Sequence, residues 1–371
     1  MIHIAIATKA EYIKTAPVLR ELSARQIGYR ILDIGQHGGL PRSFRAPLDI
    51  DEPDVRLGNG RDAETIPEVI RWAAGIARHL VRPRSSLRRD LFADDPDGIC
   101  LVHGDTPSTL LATLLARRAG VPVAHLESGL RSFHLLQPFP EELSRIGVMR
   151  LAAVLYPPHD EAASNIATMK LKGEVVQTPG NTAIDAVLHA VGHEHRAATG
   201  PGIIAVHRVE NLHRGSRVDG FLELLTKASA AGPARFHVHP PTERALKSQN
   251  RWDDVVAAGC EVKPLLPHDQ FLEACATAPW VVTDGGSIQE ECAVLGVPTL
   301  LWRGRTERPD GLDGCVVMSD YDQEVVAAFF ADPAAYRRPP RPSGQESPAA
   351  VVAADLIART QHGEGGEPPL D

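Results

Sequence analysis

Apolar and polar positions follow one another along this chain in a pattern that repeats. Residues 2–7 (IHIAIA) form an apolar run with β-branched side chains, and over residues 11–22 Ile13, Pro17, Val18 and Leu22 sit among polar neighbours. That is a strand followed by a helix. Residues 30–34, 98–103 and 121–126 read as further strands, and 106–119, between the last two, as a helix. Strands joined this tightly through helices must lie parallel, with right-handed crossovers. After residues 175–181 (VVQTPGN) the pattern restarts, with apolar runs at 202–206, 234–238, 260–262, 280–283 and 298–302 and room for helices between them. The expected architecture is α/β, two doubly wound domains over 1–176 and 177–346 facing a cleft. Ligands of such folds gather at the carboxyl ends of the strands. A last helix over about 347–360 is expected to return to the first domain, and the Gly-, Glu- and Pro-rich 361–371 reads as a mobile tail.

Bulk properties narrow the function. A chain of 371 residues suits two domains, and 43% hydrophobic with 23% charged residues is the balance of a globular protein. No apolar run approaches the roughly 18 residues of a membrane span. The amino terminus lacks the basic flank and cleavage site of a secretion signal, so a cytoplasmic location is expected. Cys100, Cys260, Cys275, Cys292 and Cys315 are scattered, without a Cys-x-x-Cys pair, and read as reduced core thiols. A net charge of -8 argues against nucleic-acid binding, which needs a concentrated basic surface. The basic run at residues 82–89 is followed by acidic residues and reads as a solvated linker. An anionic small molecule remains compatible with this charge.

The polar residues of interest fall where strands end. His103, Gly104, Asp105 and Thr106 follow one strand, Glu127 to Arg131 the next, and Glu141 and Arg145 come soon after. Asp105 reads equally well as a helix cap. In the second half His207 and Arg208 follow a strand, and His237 and His239 end another. His-x-His on a strand points both rings one way, but no acid or thiol partner is identifiable, so no metal site is expected. The stretch TDGGSIQEE, residues 283–291, opens a strand onto two glycines just before a helix, an arrangement that exposes amide donors and a positive dipole end to an anion. With Arg308 in TERP, residues 306–309, these groups can hold a diphosphate and a ribose. Neither a Gly-x-Gly-x-x-Gly fingerprint, a Walker loop nor a Gly-x-Ser-x-Gly elbow is present.

These stretches together resemble the UDP-N-acetylglucosamine 2-epimerase family. The resemblance rests on TKAEYIKTAP (8–17), VHGDTPSTL (102–110), VAHLESGLRS (123–132), PFPEELSR (138–145), PGNTAIDAV (179–187), VHRVENL (206–212), VHP (238–240), TDGGSIQEECAVLGVPTLL (283–301) and RTERPDG (305–311), in one order over about 300 residues. It implies a glycosyltransferase-B-like pair of Rossmann-like domains, as a homodimer, with a UDP-sugar as substrate and no cofactor. The implied reaction inverts carbon 2 of UDP-N-acetylglucosamine, giving UDP-N-acetylmannosamine. The C2 proton is not acidic, so UDP first leaves from C1, a 2-acetamidoglucal remains, and protonation from the other face precedes return of UDP. Hydrolysing members instead release UDP and N-acetylmannosamine, and the same fold also serves UDP-sugar transferases.

Carried over position by position, the resemblance gives Asp105, Glu127 and Glu141 the acid/base and sugar-positioning roles, without deciding which carboxylate moves which proton. His207 would stabilise the diphosphate, and Lys14 would support the carboxylates with Arg145 nearby. Lys9, His239, Gly285, Gly286 and Ser287 would line the substrate, Glu291 would bind the ribose and Arg308 would lie on the uracil or phosphate side. Three departures stand out. Lys9-Ala10 replaces a usual Arg-Pro, and lysine lacks a bidentate grip on phosphate. The order Asp284-Gly285-Gly286-Ser287 replaces Asp-Ser-Gly-Gly. Gln36-His37-Gly38-Gly39-Leu40 lacks a charged residue after Gln-His, which speaks against an activating second UDP-sugar site.

Overall fold

A computed structural model describes residues 1–35, 40–58, 66–134, 140–208, 211, 215–312 and 314–361. The Gln36–Gly39 segment and the tail beyond Gln361 therefore lie outside the described residues. The chain forms two compact units, one built from Met1–Ala186 together with the segment that starts at Glu346, the other from Val187–Gln345.

In the first unit, strands β1 (Ile2–Ile6), β2 (Tyr29–Asp33), β3 (Val55–Arg56), β4 (Ile99–His103), β5 (Val123–Leu126), β6 (Val154–Tyr156) and β7 (Glu174–Val175) form one sheet in the order β3-β2-β1-β4-β5-β6-β7. Each pairing is parallel. The strands alternate sides with period two. Ile2, Ile4, Ile99 and Leu101 face one apolar layer, while Ala5, Cys100 and Val102 face the other. A strand covered on both sides must be apolar throughout, which is why these strands read as continuous apolar runs.

The final helix, Pro348–Gln361, belongs to this unit. Its Val352, Ala353 and Leu356 are buried in the same layer as Tyr12 and Leu19 of the first helix, Lys9–Ala24. Polar clasps fix its register: Tyr156 donates to Asp355 at 2.6 Å, and Arg359 bridges Asp355 and Glu174.

The basic run is not a linker. Arg84–Phe92 is a helix, because Leu87 and Leu91 stand one turn apart and are buried with Phe92. Each such side chain contributes about 1.5–3 kcal/mol on burial, which outweighs the repulsion among solvated cations. The cations find partners as well: Arg82 pairs with Asp90, Arg88 with Asp94, and Arg84 Nε donates to the Ala119 carbonyl that ends a neighbouring helix.

The second unit repeats the plan. Strands β8 (Gly202–Ala205), β9 (Ala234–Val238), β10 (Glu261–Pro264), β11 (Val281–Thr283), β12 (Thr299–Leu301) and β13 (Val316–Met318) pair in parallel in the order β10-β9-β8-β11-β12-β13. Ile204, Val282 and Leu300 pack on Val218, Phe221 and Leu225 of the helix Gly215–Ala231. Both sheets are thus Rossmann-like, and in each the strand order reverses once, between β1 and β4 and between β8 and β11. The loops leaving those strands are the ones such folds use to hold ligands.

Candidate functional site

The site groups of the first unit hang from the loops after β1, β4 and β5. Thr8 and Glu11 form a capping box at the start of the Lys9–Ala24 helix. Glu11 accepts the Ala7 N–H at 2.6 Å and the Thr106 hydroxyl at 2.8 Å, so it ties the β1 loop to the β4 loop across the strand-order reversal. Burial pushes the Glu11 carboxyl up to about 7, against those hydrogen bonds. One turn further along the same helix face, Lys14 donates its ammonium to Glu127 Oε1.

Glu127 follows β5 directly, is 7% exposed, and its backbone has φ 59°. That left-handed conformation costs a side-chain-bearing residue about 1–2 kcal/mol, and such strain concentrates at functional positions. Gly104 lies close by: a Cβ there would stand 3.8 Å from Glu127 Oε2, and its own φ of 74° suits glycine. His103 Nε2 is 3.9 Å from Glu127 Oε1. Burial drives His103 down to about 4, and His125, whose Nε2 meets the Gly104 carbonyl at 2.7 Å, down to about 4 as well. Both rings are therefore neutral at neutral pH, and the ion-pair partner seen on Glu127 among the described residues is Lys14.

Asp105, on the β4 loop, pairs with Arg145. Arg145 is itself held by Glu142, a fully buried carboxylate that Arg131 and the Ser132 N–H also satisfy. Glu141 opens the helix Glu141–Leu151 that carries both Glu142 and Arg145. Lys9 is the exposed first residue of the Lys9–Ala24 helix. The first unit thus joins Lys14 to Glu127 and Arg145 to Asp105. Sequence reasoning placed His103 and Glu142 near strand ends without giving them a role, and it missed Asn181, which donates to Glu127 Oε1 from 54 positions away.

In the second unit the loops after β8 and β11 meet. Asp284 is fully buried and accepts the backbone N–H of His207 at 3.0 Å, that of Arg208 at 2.8 Å and the Asn211 side-chain amide at 2.8 Å. His207 Nδ1 stands 3.3 Å from Asp284 Oδ1 while the His207 side chain stays 44% exposed, so the ring is anchored on one side and presented on the other. His239 ends its strand as the N-cap residue of the helix Pro240–Ser248, with its ring centroid 5.9 Å from that of His207. His237 turns elsewhere, its Nδ1 at 2.9 Å from the Pro264 carbonyl. Among the described residues no cluster of three or more His, Cys, Asp or Glu side chains could hold a metal ion.

The glycine pair is required by close approach. Gly285 is the N-cap of the helix Gly286–Leu295, and no side chain caps it. A Cβ on Gly285 would lie 3.2 Å from the His207 ring, and one on Gly286 would lie 2.8 Å from Arg308 Nε. The bare helix start, His207 and Arg308 therefore surround one small space with amide and cationic donors, which suits an anion. Ser287, half-buried, follows in the first turn. Gln289, buried behind that turn, donates to the Arg308 and Asp310 carbonyls at 3.0 Å and so fixes the loop that carries Arg308.

Charged groups around this loop are strongly coupled. Arg308 pairs with Glu290 at 2.6 Å and Arg303 with Glu307 at 3.2 Å. Burial alone would raise Glu307, but Arg303, Arg308 and Arg208 outweigh it and hold the carboxyl down at about 2. Glu291 receives His268 Nε2 at 2.8 Å. Burial of His268 works against its charge, yet Glu291 prevails and raises it. Asp284, Gln289 and His268 were not legible as site residues from sequence, although Asp284 stands at the strand end where a loop-organising acid is expected.

Residues 20–339 match the family model described as UDP-N-acetylglucosamine 2-epimerase. The chain belongs to that family. The epimerase family is one of isomerases, and the chain is an enzyme of that kind. A UDP-N-acetylglucosamine 2-epimerase of Methanocaldococcus jannaschii is 26% identical over 349 residues, covering 88% of this chain and 90% of the relative. That of Bacillus subtilis is 29% identical, covering 89% and 87%. Among solved structures, the Methanocaldococcus jannaschii epimerase in complex with UDP-GlcNAc and UDP superposes with a TM-score of 0.79 over 96% of this chain and 99% of that one, at 23% identity. The Neisseria meningitidis epimerase bound to UDP-GlcNAc gives 0.77 over 98% and 99%, at 25% identity. The glycosyltransferase-B-like fold class follows from these likenesses.

Proposed function

We propose that the protein interconverts UDP-N-acetylglucosamine and UDP-N-acetylmannosamine by elimination and re-addition of UDP. The observation that carries this reading is the pair of carboxylates at the ends of adjacent strands, Glu127 held by Lys14 and Asp105 held by Arg145. Two anchored carboxylates are what a reaction needs that removes a proton from one face of a carbon and returns one to the other.

In the forward direction the C1–O bond breaks and its electron pair stays on the diphosphate oxygen of UDP. The C2 proton passes to a carboxylate of the Asp105, Glu127 and Glu141 set, and a C1–C2 double bond forms. A second acid of that set protonates C2 from the opposite face, and the UDP oxygen re-forms its bond at C1. No net oxidation occurs. The departing diphosphate carries the developing charge, and the second unit supplies donors for it: the uncapped start of Gly286–Leu295, His207 and Arg308. Lys9, Ser287 and His239 would complete the grip on the substrate, and Glu291, steadied by His268, would accept the ribose hydroxyls. The family resemblance also supports a homodimer as the working form, which light scattering on the purified chain would read.

Incubation with UDP-N-acetylglucosamine in heavy water, followed by proton spectra, tests the reading. The expected result is an equilibrium of the two nucleotide sugars with deuterium at C2. Stoichiometric free UDP with reducing N-acetylmannosamine would replace it with the hydrolysing reaction. An unaltered nucleotide sugar that reacts only when an acceptor is added would replace it with a transferase.

A further inference from the structure

Among the described residues, Glu127 Oε1 accepts from the Lys14 ammonium and from the Asn181 side-chain amide. Asn181 lies in the 178–182 segment, which leads into the helix Ala183–Val191. Its Oδ1 accepts the Ala183 N–H at 3.2 Å, closing the local turn that asparagine favours. Because the amide oxygen is committed there, the NH2 group must face the carboxylate. The next residue, Thr182, donates its hydroxyl to the Lys14 carbonyl, so one short turn steadies both members of the ion pair.

We infer that Asn181 is a positioning residue for the proton transfer at C2: its amide holds Glu127 Oε1 beside Lys14 and favours the ionised carboxylate. The inference rests on the role proposed for Glu127. An amide is suited to this because it donates without titrating, so the orientation of Glu127 does not change as neighbouring groups gain or lose protons. A carboxylate that accepts hydrogen bonds in its charged form is stabilised in that form. Among the described residues, the charged or titratable groups that act on Glu127 include Lys14 from the first helix, His103 at the end of β4 and, through its charge, His125 on β5.

Asn181→Asp separates this role from a purely structural one. Aspartate closes the same turn on Ala183, but it sets a second carboxylate against Glu127. Two measurements are made on the full chain. In the first, glutamate side chains carrying 13C at the carboxyl carbon are titrated by nuclear magnetic resonance, with Glu127→Gln to assign the signal. Asn181→Asp is expected to move the Glu127 titration to higher pH by about one unit or more. In the second, deuterium uptake at C2 is followed against pH: kcat falls about tenfold or more near neutral pH, the acidic limb of the profile moves in the same direction, and KM changes little.

Asn181→Ser, which closes the turn more weakly and lacks the amide donor, is expected to shift both readouts in the same direction by less, and it stands in should the aspartate variant misfold. A Glu127 titration and pH profile unchanged in these variants would overturn the inference and leave Asn181 a turn former. If the unaltered enzyme places no deuterium at C2, the proposed function falls, while the carboxyl titration still judges the contact because it needs no substrate.

Discussion

The Asp284 carboxylate accepts the backbone N–H of His207 at 3.0 Å and stands 3.3 Å from the Nδ1 of the same residue's ring. One buried acid therefore sets both the path of the loop and the orientation of the imidazole. Asp284→Ala would strand the N–H groups of His207 and Arg208 and the Asn211 amide, at about 1–3 kcal/mol for each donor left buried. Asp284→Asn keeps the shape but removes the charge beside Nδ1. It is expected to lower kcat about 100-fold with a small change in urea midpoint, measured by deuterium uptake and by denaturation.

Glu127→Gln is expected to retain UDP affinity in calorimetry and to lose turnover by at least about 100-fold. Lys14→Met should lower turnover too, and it should also destabilise, because Glu127 then loses its ammonium partner in a buried setting. Full activity in Glu127→Gln would remove Glu127 from the reaction.

Gly286→Ala tests the close approach in the second unit. The new methyl would fall 2.8 Å from Arg308 Nε and 3.0 Å from its Cδ, so the guanidinium must swing away. Alanine is at least as good a helix former as glycine, so the melting temperature should hold or rise slightly. UDP affinity should fall about tenfold, which calorimetry would read directly; one displaced charge-assisted hydrogen bond is worth about 1.5–3 kcal/mol.

The buried histidines give unit one a pH dependence of known sign. Burial holds His103 and His125 at about 4, below the ordinary 6.5, so unfolded chains bind more protons between those values. Their contribution to stability is complete above about pH 6.5 and is lost as pH falls toward 4. For each histidine the loss is at most about 3 kcal/mol. Glu11, raised to about 7, acts oppositely: its contribution is present below about pH 4.5 and lost as pH rises through 7. Denaturation midpoints taken from pH 4 to 8 should therefore rise less steeply with pH in His103→Leu than in the parent, and more steeply in Glu11→Gln.

The fully buried strands were legible because a parallel strand covered on both faces leaves an apolar run, as in Val281–Thr283 and Ile99–His103. Strands β3 and β7, two residues each, leave no such trace. The Arg84–Phe92 helix was hidden by its cations, since charge dominated a stretch whose apolar residues are only Leu87, Leu91 and Phe92. Strand-end position was enough to nominate Asp105, Glu127, His207 and the glycine pair. It could not reveal who holds them. The Lys14–Glu127 and Asn181–Glu127 contacts join residues 113 and 54 positions apart, and no local pattern encodes such a meeting.

The left-handed backbone at Glu127 has a consequence for directed evolution. Glycine or asparagine would sit there with less strain, by about 1–2 kcal/mol, but either leaves the buried Lys14 without its carboxylate, at about 3–5 kcal/mol, so a library selected for heat tolerance alone should keep Glu127. Relief of the strain should show as heat tolerance only in a library that makes Lys14 apolar at the same time, so the two positions are expected to change together or not at all.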